Sequence, residues 1–462
     1  MTEISVVIPL DDARGDAIEH LRTWSYGQSL ERDRYQLVLV SDGTDPDGDE
    51  RLAQLLQPHD RLLKAPGAGL IGLWNRGGRG GGAPRGGRTE NHVEALPDTM
   101  EQALAGIGET AGLDAASIEH GHLVPTPIGE LGARWFDEVY AEWYTPGSWR
   151  RLNLAGYLIR RPVFDAVGGL DDRYGLFAAP LLSARLAEGG FRVGHFPACR
   201  ILHVQNELIS EHHGHTENYA RGECEARLSL EREFAERYFG HQHPVWNRHR
   251  FDPRVARTRA GVVGREAIRE LPRHPRRAGA LLGELVRGGP PLAGSRLALA
   301  AARARLALTE RVASAEWLPA ERRYPVYRRA HRDATSVGQL QWIHERHGDG
   351  GARLREGEAG IEALAEGALI GMHGLERHDG RAFRWSEPLL SIRVEPAAGP
   401  RELRLDTGGL RGAAAGALLA AYAGRPGEKV AARGEGAELV VPVPAGADAV
   451  TLLFDRLHAP GE

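Results

Sequence analysis

Few side chains in this 462-residue sequence are grouped in the way chemistry requires. Glu90-Asn91-His92 sets a carboxylate and an imidazole two residues apart. In an extended stretch, residues i and i+2 point to the same side, so both can face one ion. A set that contains imidazole favours Mn²⁺ over Mg²⁺. A second group is acidic. Asp11 and Asp12 follow the apolar run Ile4–Pro9, and Asp42 follows Tyr35–Val40 in Ser41-Asp42-Gly43-Thr44-Asp45. Asp42 reads either as a ligand-facing carboxylate or as a turn-capping one. His344 and His347 stand i, i+3, whereas the zinc-protease helix needs i, i+4 with a Glu beside the first His. They read as ordinary helix-end residues. His212, His213 and His215 fall in a polar loop and read as solvated, with substrate-facing or metal-binding roles as the alternatives.

The elements that must position these residues follow from periodicity. Ile4–Pro9 and Tyr35–Val40 are short β-branched runs, and Ala17–Leu30 and Glu50–Leu56 are helix-like. Strand, helix, strand with turn residues at the strand ends indicates a parallel α/β sheet over residues 1–245. Ligands of such sheets bind at the C-terminal strand ends, where Asp11, Asp12 and Asp42 fall. Residues 246–350 read as helical. Within 248–332 there are 20 arginines, no lysine and 7 acids, a formal charge of +13 that leaves −17 on the rest. That surface is either simply solvated or meets anionic lipid headgroups or an acidic partner. Nucleic acid is not expected, because no binding motif and little aromatic interleaving accompany the arginines. Residues 351–462 carry short apolar runs separated by Gly, Pro and Asp, which predicts a β-sandwich. Its Phe383-Arg384-Trp385 cluster reads as core packing or as a platform for stacking a sugar ring.

Composition sets the bounds. Hydrophobic residues make up 42% and charged residues 26%, in the range of soluble globular proteins. Cys199 and Cys224 are the two cysteines, which excludes a disulfide framework and points to a reducing compartment. No run of about 18 apolar residues is present, so a cytoplasmic, at most membrane-peripheral, location is expected. All but two of the 58 basic residues are arginine, which fits the codon bias of a GC-rich bacterial genome.

ISVVIPL, VLVSDGTD, LWNRG, TENH, AGYLIRRPVFDAVGGLDDRYG and ACRILHV occur in this order over about residues 4–204. The ordered series resembles the family 2 glycosyltransferases. The resemblance implies a GT-A (Rossmann-like) nucleotide-sugar domain over residues 1–245. It implies transfer, with inversion, from a nucleotide-diphosphate sugar to a hydroxyl of a bacterial cell-envelope glycan or lipid-linked intermediate. It assigns donor contacts to Pro9, Asp11, Asp42, Asn75 and Arg76. It also assigns a divalent cation, Mn²⁺ or Mg²⁺, to Glu90, His92 and His203, in the manner of the D-x-H variant.

Two departures stand out. The family's acceptor-activating carboxylate sits in an "E-D-x-D-L-x-x-R-L" segment. Aligned on Arg185-Leu186, its acid positions hold Ala178, Ala179 and Leu181. Losing a general base costs on the order of 10²–10⁴ in rate. Either another acid substitutes, or the chain is a catalytically impaired binding or scaffold relative. Asp171 and Asp172 are the nearest acids, in a turn that usually serves structure. The second departure is the run Gly77–Arg88, which holds no apolar side chain larger than alanine or proline. It is not expected to supply a central strand. It reads as a loop around the phosphates or as a local disturbance of the reading frame.

Overall fold

Alternation along the first strand divides the core in two. In β1 (Ile4–Leu10), Ile4, Val6 and Ile8 join one hydrophobic cluster and Val7 joins another. The same split runs through β2 (Tyr35–Ser41), with Leu37 and Leu39 on the first side and Val38 and Val40 on the second. Strands covered on both faces read as continuous apolar runs, which is how these two look in the sequence.

The computed structural model describes all residues except 1, 11–16, 108–111, 146, 206–207, 242, 246–252, 288–295, 347–352, 355–368, 373–375, 379–380, 384–385, 407–417, 425–427 and 455–462. The side chains of 253–260, 284–287, 296–298, 344, 346, 369–372, 376–378, 381–383 and 386–388 are likewise outside the description. The chain divides into two units, Met1–Ala226 with Ala304–Gly338, and Arg227–Arg303 with Gln339–Glu462.

In the first unit, β1 and β2 continue through β3 (Arg61–Lys64), β4 (Arg85–Thr89), β5 (Val93–Ala95), β6 (Ala115–Leu123), β7 (Gly156–Arg160) and β8 (Val193–Val204). These eight strands form one mixed sheet in the order β3-β2-β1-β4-β7-β6-β8-β5. Strands β1 to β4 are mutually parallel, and β7 reverses direction against β4. Helices α1 (Ala17–Ser25), α2 (Pro46–Ala53), α3 (Leu70–Gly80), α4 (Thr99–Gly106), α5 (Pro127–Trp143), α6 (Arg161–Ala166) and α7 (Ala178–Glu188) connect them. Leu21 and Trp24 of α1 and Met100 of α4 cover one face of the sheet. Leu73 and Trp74 of α3 and Leu182 of α7 cover the other.

The glycine-rich run departs from expectation. Residues up to Gly80 complete α3, and Arg85–Thr89 form the central strand β4, paired with both β1 and β7. Backbone hydrogen bonds to two neighbours hold this strand, so it needs little from its own side chains. The glycines serve close packing. A Cβ on Gly77 would stand 2.2 Å from Val7 Cγ1 and 2.9 Å from Val40 Cγ2, so α3 lies tight on the sheet.

Helices α8 (Ile209–Ser229), α9 (Arg232–Phe239), α10 (Pro253–Glu270), α11 (Pro275–Arg287), α12 (Arg296–Ala313) and α13 (Ala320–Arg346) follow. Among the described residues, no helix is long and apolar enough to cross a membrane. The second unit then adds β9 (Leu369–Met372), β10 (Glu376–His378), β11 (Arg381–Phe383), β12 (Ser386–Arg393), β13 (Arg401–Asp406), β14 (Leu418–Ala423), β15 (Glu428–Val430), β16 (Arg433–Glu435), β17 (Glu438–Val443) and β18 (Ala449–Phe454). An antiparallel five-stranded sheet, β15-β14-β18-β12-β9, faces a three-stranded one, β13-β17-β16. Leu390, Ile392, Val450 and Leu452 share a cluster with Leu403, Val441 and Val443 across the gap. The alternate residues Leu389, Ala420, Tyr422 and Leu453 meet Val262, Val263 and Leu281 of α10 and α11. Arg384 and Trp385 lie outside the described residues, as does the Phe383 side chain. His347 and the His344 side chain do too.

Candidate metal and donor site

Strand β4 ends at Thr89, and a turn at Asn91-His92 leads into β5. Glu90 and His92 therefore sit at a turn, not in an extended strand, and the turn itself brings their side chains together. Glu90 Oε2 lies 3.0 Å from His92 Nε2. Strand β5 pairs antiparallel with β8 and places Val93 opposite His203. This register delivers His203 Nε2 to 3.1 Å from Glu90 Oε2 and 3.2 Å from His92 Nε2. One ligand atom from each residue lies within 4.8 Å of the others.

The electrostatics suit a cation. Burial alone would raise the Glu90 pKa. The nearby His92 charge and the hydrogen bonds from His203 and His92 outweigh it and hold the carboxyl well below its ordinary range. The outer nitrogens are occupied: His92 Nδ1 faces Asn91 Oδ1 at 3.2 Å, and His203 Nδ1 faces the Gln205 amide at 3.2 Å. An imidazole whose Nδ1–H is donated outward keeps its Nε2 lone pair for a metal. His92 meets this condition through Asn91 Oδ1, and His203 meets it when the Gln205 amide, whose Nε2 faces Nδ1, turns to present its oxygen. The two Nε2 atoms and the carboxylate oxygen, at mutual distances of 3.0–3.2 Å, then fit one divalent ion.

No family model matches the chain, and no curated protein matches it. Among solved structures, the chain is similar to a mannosyltransferase, PcManGT from Pyrobaculum calidifontis, in complex with GDP-Man and Mn2+. The identity is 15% and the TM-score 0.40, over 74% of this chain and 86% of that one.

The other residues singled out from the sequence are placed as follows. Asp11 and Asp12 lie outside the described residues. Pro9 is buried in β1 opposite Val40. Asp42 stands at the C-terminal end of β2, on the same sheet edge as Glu90. Two strand spacings separate β2 from β4, about 10 Å. Its Oδ1 accepts from Thr44 N at 2.9 Å and Thr44 Oγ1 at 2.6 Å, so it caps its own turn. Asn75 Nδ2 donates to Leu170 O at 2.6 Å, tying α3 to the Gly168-Gly169 turn. Arg76 is exposed on α3. Ala178, Ala179 and Leu181 are buried in the first turn of α7, with Ala178 packed among Leu152, Val163 and Leu182. Asp171 is bound by Arg173 at 2.7 Å, and that hydrogen bond lowers its pKa.

The expected solvated loop is a helix. His212 and His213 lie on α8 and are buried, whereas His215 is exposed. His212 Nε2 meets His331 Nδ1 at 3.0 Å, and His213 Nδ1 meets Glu310 Oε1 at 2.6 Å. The segment 304–338, distant in sequence, covers them.

Sequence reasoning missed the residues behind the cluster. Gln205 Nε2 also lies 2.7 Å from His122 Nδ1, and His122 Nε2 meets Asp137 Oδ1 at 2.8 Å. Gln205 stands two residues after His203, a spacing that puts both on one side of an extended stretch. His122 and Asp137 left no such signal, because the β6–β8 pairing alone sets His122 beside His203.

Proposed function

We propose that the first unit is a metal-assisted glycosyltransferase. It moves a sugar from a nucleotide-diphosphate donor to a hydroxyl of a glycan or lipid-linked acceptor, with inversion. The convergence of Glu90, His92 and His203 at the C-terminal edge of the parallel strands carries this reading. The motif series over residues 4–204 supports it.

Glu90, His92 and His203 would hold a divalent ion, Mn²⁺ by preference, which when bound supplies positive charge for the departing diphosphate. Asp42, about two strands away, would contact the base or ribose. The carboxylate missing at Ala179 has a candidate substitute. It is Asp137, an exposed carboxylate 2.8 Å from His122 Nε2, which can take a proton from an acceptor hydroxyl.

The burial of Ala178 and Ala179 favours a second reading, in which the unit binds donor without turnover. A panel of nucleotide sugars with Mn²⁺, scored for donor hydrolysis and transfer, separates the two. Turnover that falls about 10²-fold or more in His92→Ala, and on the order of 10²–10⁴ in Asp137→Asn, supports the transferase. Nucleotide binding with no turnover on any donor supports the binding relative. Turnover untouched in His92→Ala would sink the metal assignment.

A further inference from the structure

Arg88 lies two residues before Glu90, on the α3 side of the sheet. Its side chain is 3% exposed. Among the described residues it has no ion pair and no hydrogen bond, and its Nε is buried without a partner. The guanidinium instead lies over the Phe164 ring at 3.8 Å and near Tyr157 at 5.5 Å. It occupies room left by missing side chains. A Cβ on Gly78 would come within 2.5 Å of one terminal nitrogen, and a Cβ on Gly86 within 3.5 Å of the other.

Burial pushes the Arg88 pKa down, yet an arginine does not shed its proton in a protein. The Asp165 carboxylate acts on it through space but forms no ion pair with it. A buried cation without a paired charge is costly, and the natural remedy is a counter-ion. The guanidinium borders a cavity of about 20 Å³ lined also by Ser5, Gly77, Gly81, Arg161 and Phe164. No carboxylate lines it. Arg161 donates to Gly81 O at 2.6 Å, and its nearest acid, Asp165, is 3.9 Å away and 63% exposed. Arg85 lines it as well and donates through Nε to Ile107 O at 3.2 Å, so the cavity is bordered by three arginines and no carboxylate. About 10–15 Å³ suffices for one water, so the space suits a single small occupant.

We propose that this cavity binds one monoatomic anion, chloride or a similar halide, as the counter-ion of Arg88, and that the anion locks α3 against β4. The proposal is independent of the transferase reading. The test is thermal unfolding of the full chain in sodium chloride and in sodium gluconate at matched ionic strength, with ³⁵Cl NMR linewidths on the same samples. Expected is a chloride-specific rise in Tm of about 3 °C for each tenfold of chloride above its Kd. Chloride line broadening that bromide competes away is expected alongside it. Arg88→Met should abolish both. Equal Tm in the two salts with no broadening would overturn the proposal, as would a full chloride response in Arg88→Met. If Arg88→Met does not fold, the wild-type linewidths decide: broadening competed by bromide upholds the site, and its absence removes it.

Discussion

Gln205 stands behind the candidate metal site. Its side-chain amide faces Nδ1 of both His203 and His122, at 3.2 and 2.7 Å. For His203 Nε2 to bind a metal, Nδ1 must carry the proton and needs an acceptor. The amide oxygen supplies one when the group is turned to present it. Gln205→Leu removes that acceptor and should weaken Mn²⁺ binding about 10–100-fold. Gln205→Glu, which keeps acceptors for both imidazoles, should lose much less. Mn²⁺ titration by electron spin resonance distinguishes the two, and equal affinity in Gln205→Leu would deny Gln205 this role. Glu90-x-His92 was legible in the sequence because it is local. The motif series also named His203, 111 residues from His92, but the contact between the two rests on the β5–β8 register.

At the scale of elements, α3 tests what the glycines are for. Alanine favours a helix over glycine by about 1 kcal/mol. At Gly77 that gain meets Val7 and Val40, both fully buried β-branched side chains in central strands. Overpacking of this kind costs about 1–3 kcal/mol, so Gly77→Ala should be destabilising by about 1 kcal/mol net. Gly214 in α8 has nothing within 4 Å of its Cβ position. Gly214→Ala should therefore be stabilising by about 0.5–1 kcal/mol. Denaturant midpoints of both variants give the signs; a neutral or stabilising Gly77→Ala would mean the helix is not seated tightly. The apolar runs of β1 and β2 made those strands readable. Arg85–Thr89 was not readable, because β4 is held by neighbours on both sides and its own side chains say little.

Across the whole molecule, buried histidines set the acid limit. Burial lowers His331 to about 4 in the first unit, helped by His213, and lowers His243 to about 3 in the second. In the unfolded chain both have their ordinary value of 6.5. Above that pH both states are neutral and these groups contribute nothing. Below it the unfolded chain binds protons that the folded one refuses, so stability falls with pH. Each histidine contributes a slope of about 1.4 kcal/mol per pH unit between its two pKa values. Unfolding midpoints should thus decline from about pH 6.5, before carboxylates titrate, and His331→Gln should flatten the decline by about one proton. A wild-type profile flat down to pH 5 would contradict the burial of these side chains.

The sequence by itself determined the continuous apolar strands β1 and β2, Asp42 in the turn after β2 and the local Glu90–His92 pair, because each depends on neighbours a few residues away. Tertiary structure alone decided the rest. It set His203 against that pair through a strand register and made a central strand of a glycine-rich run. It also buried His212 and His213 under residues about 100 positions later. Burial and partner choice across such separations are fixed by which surfaces meet, and the residues in between carry no record of that.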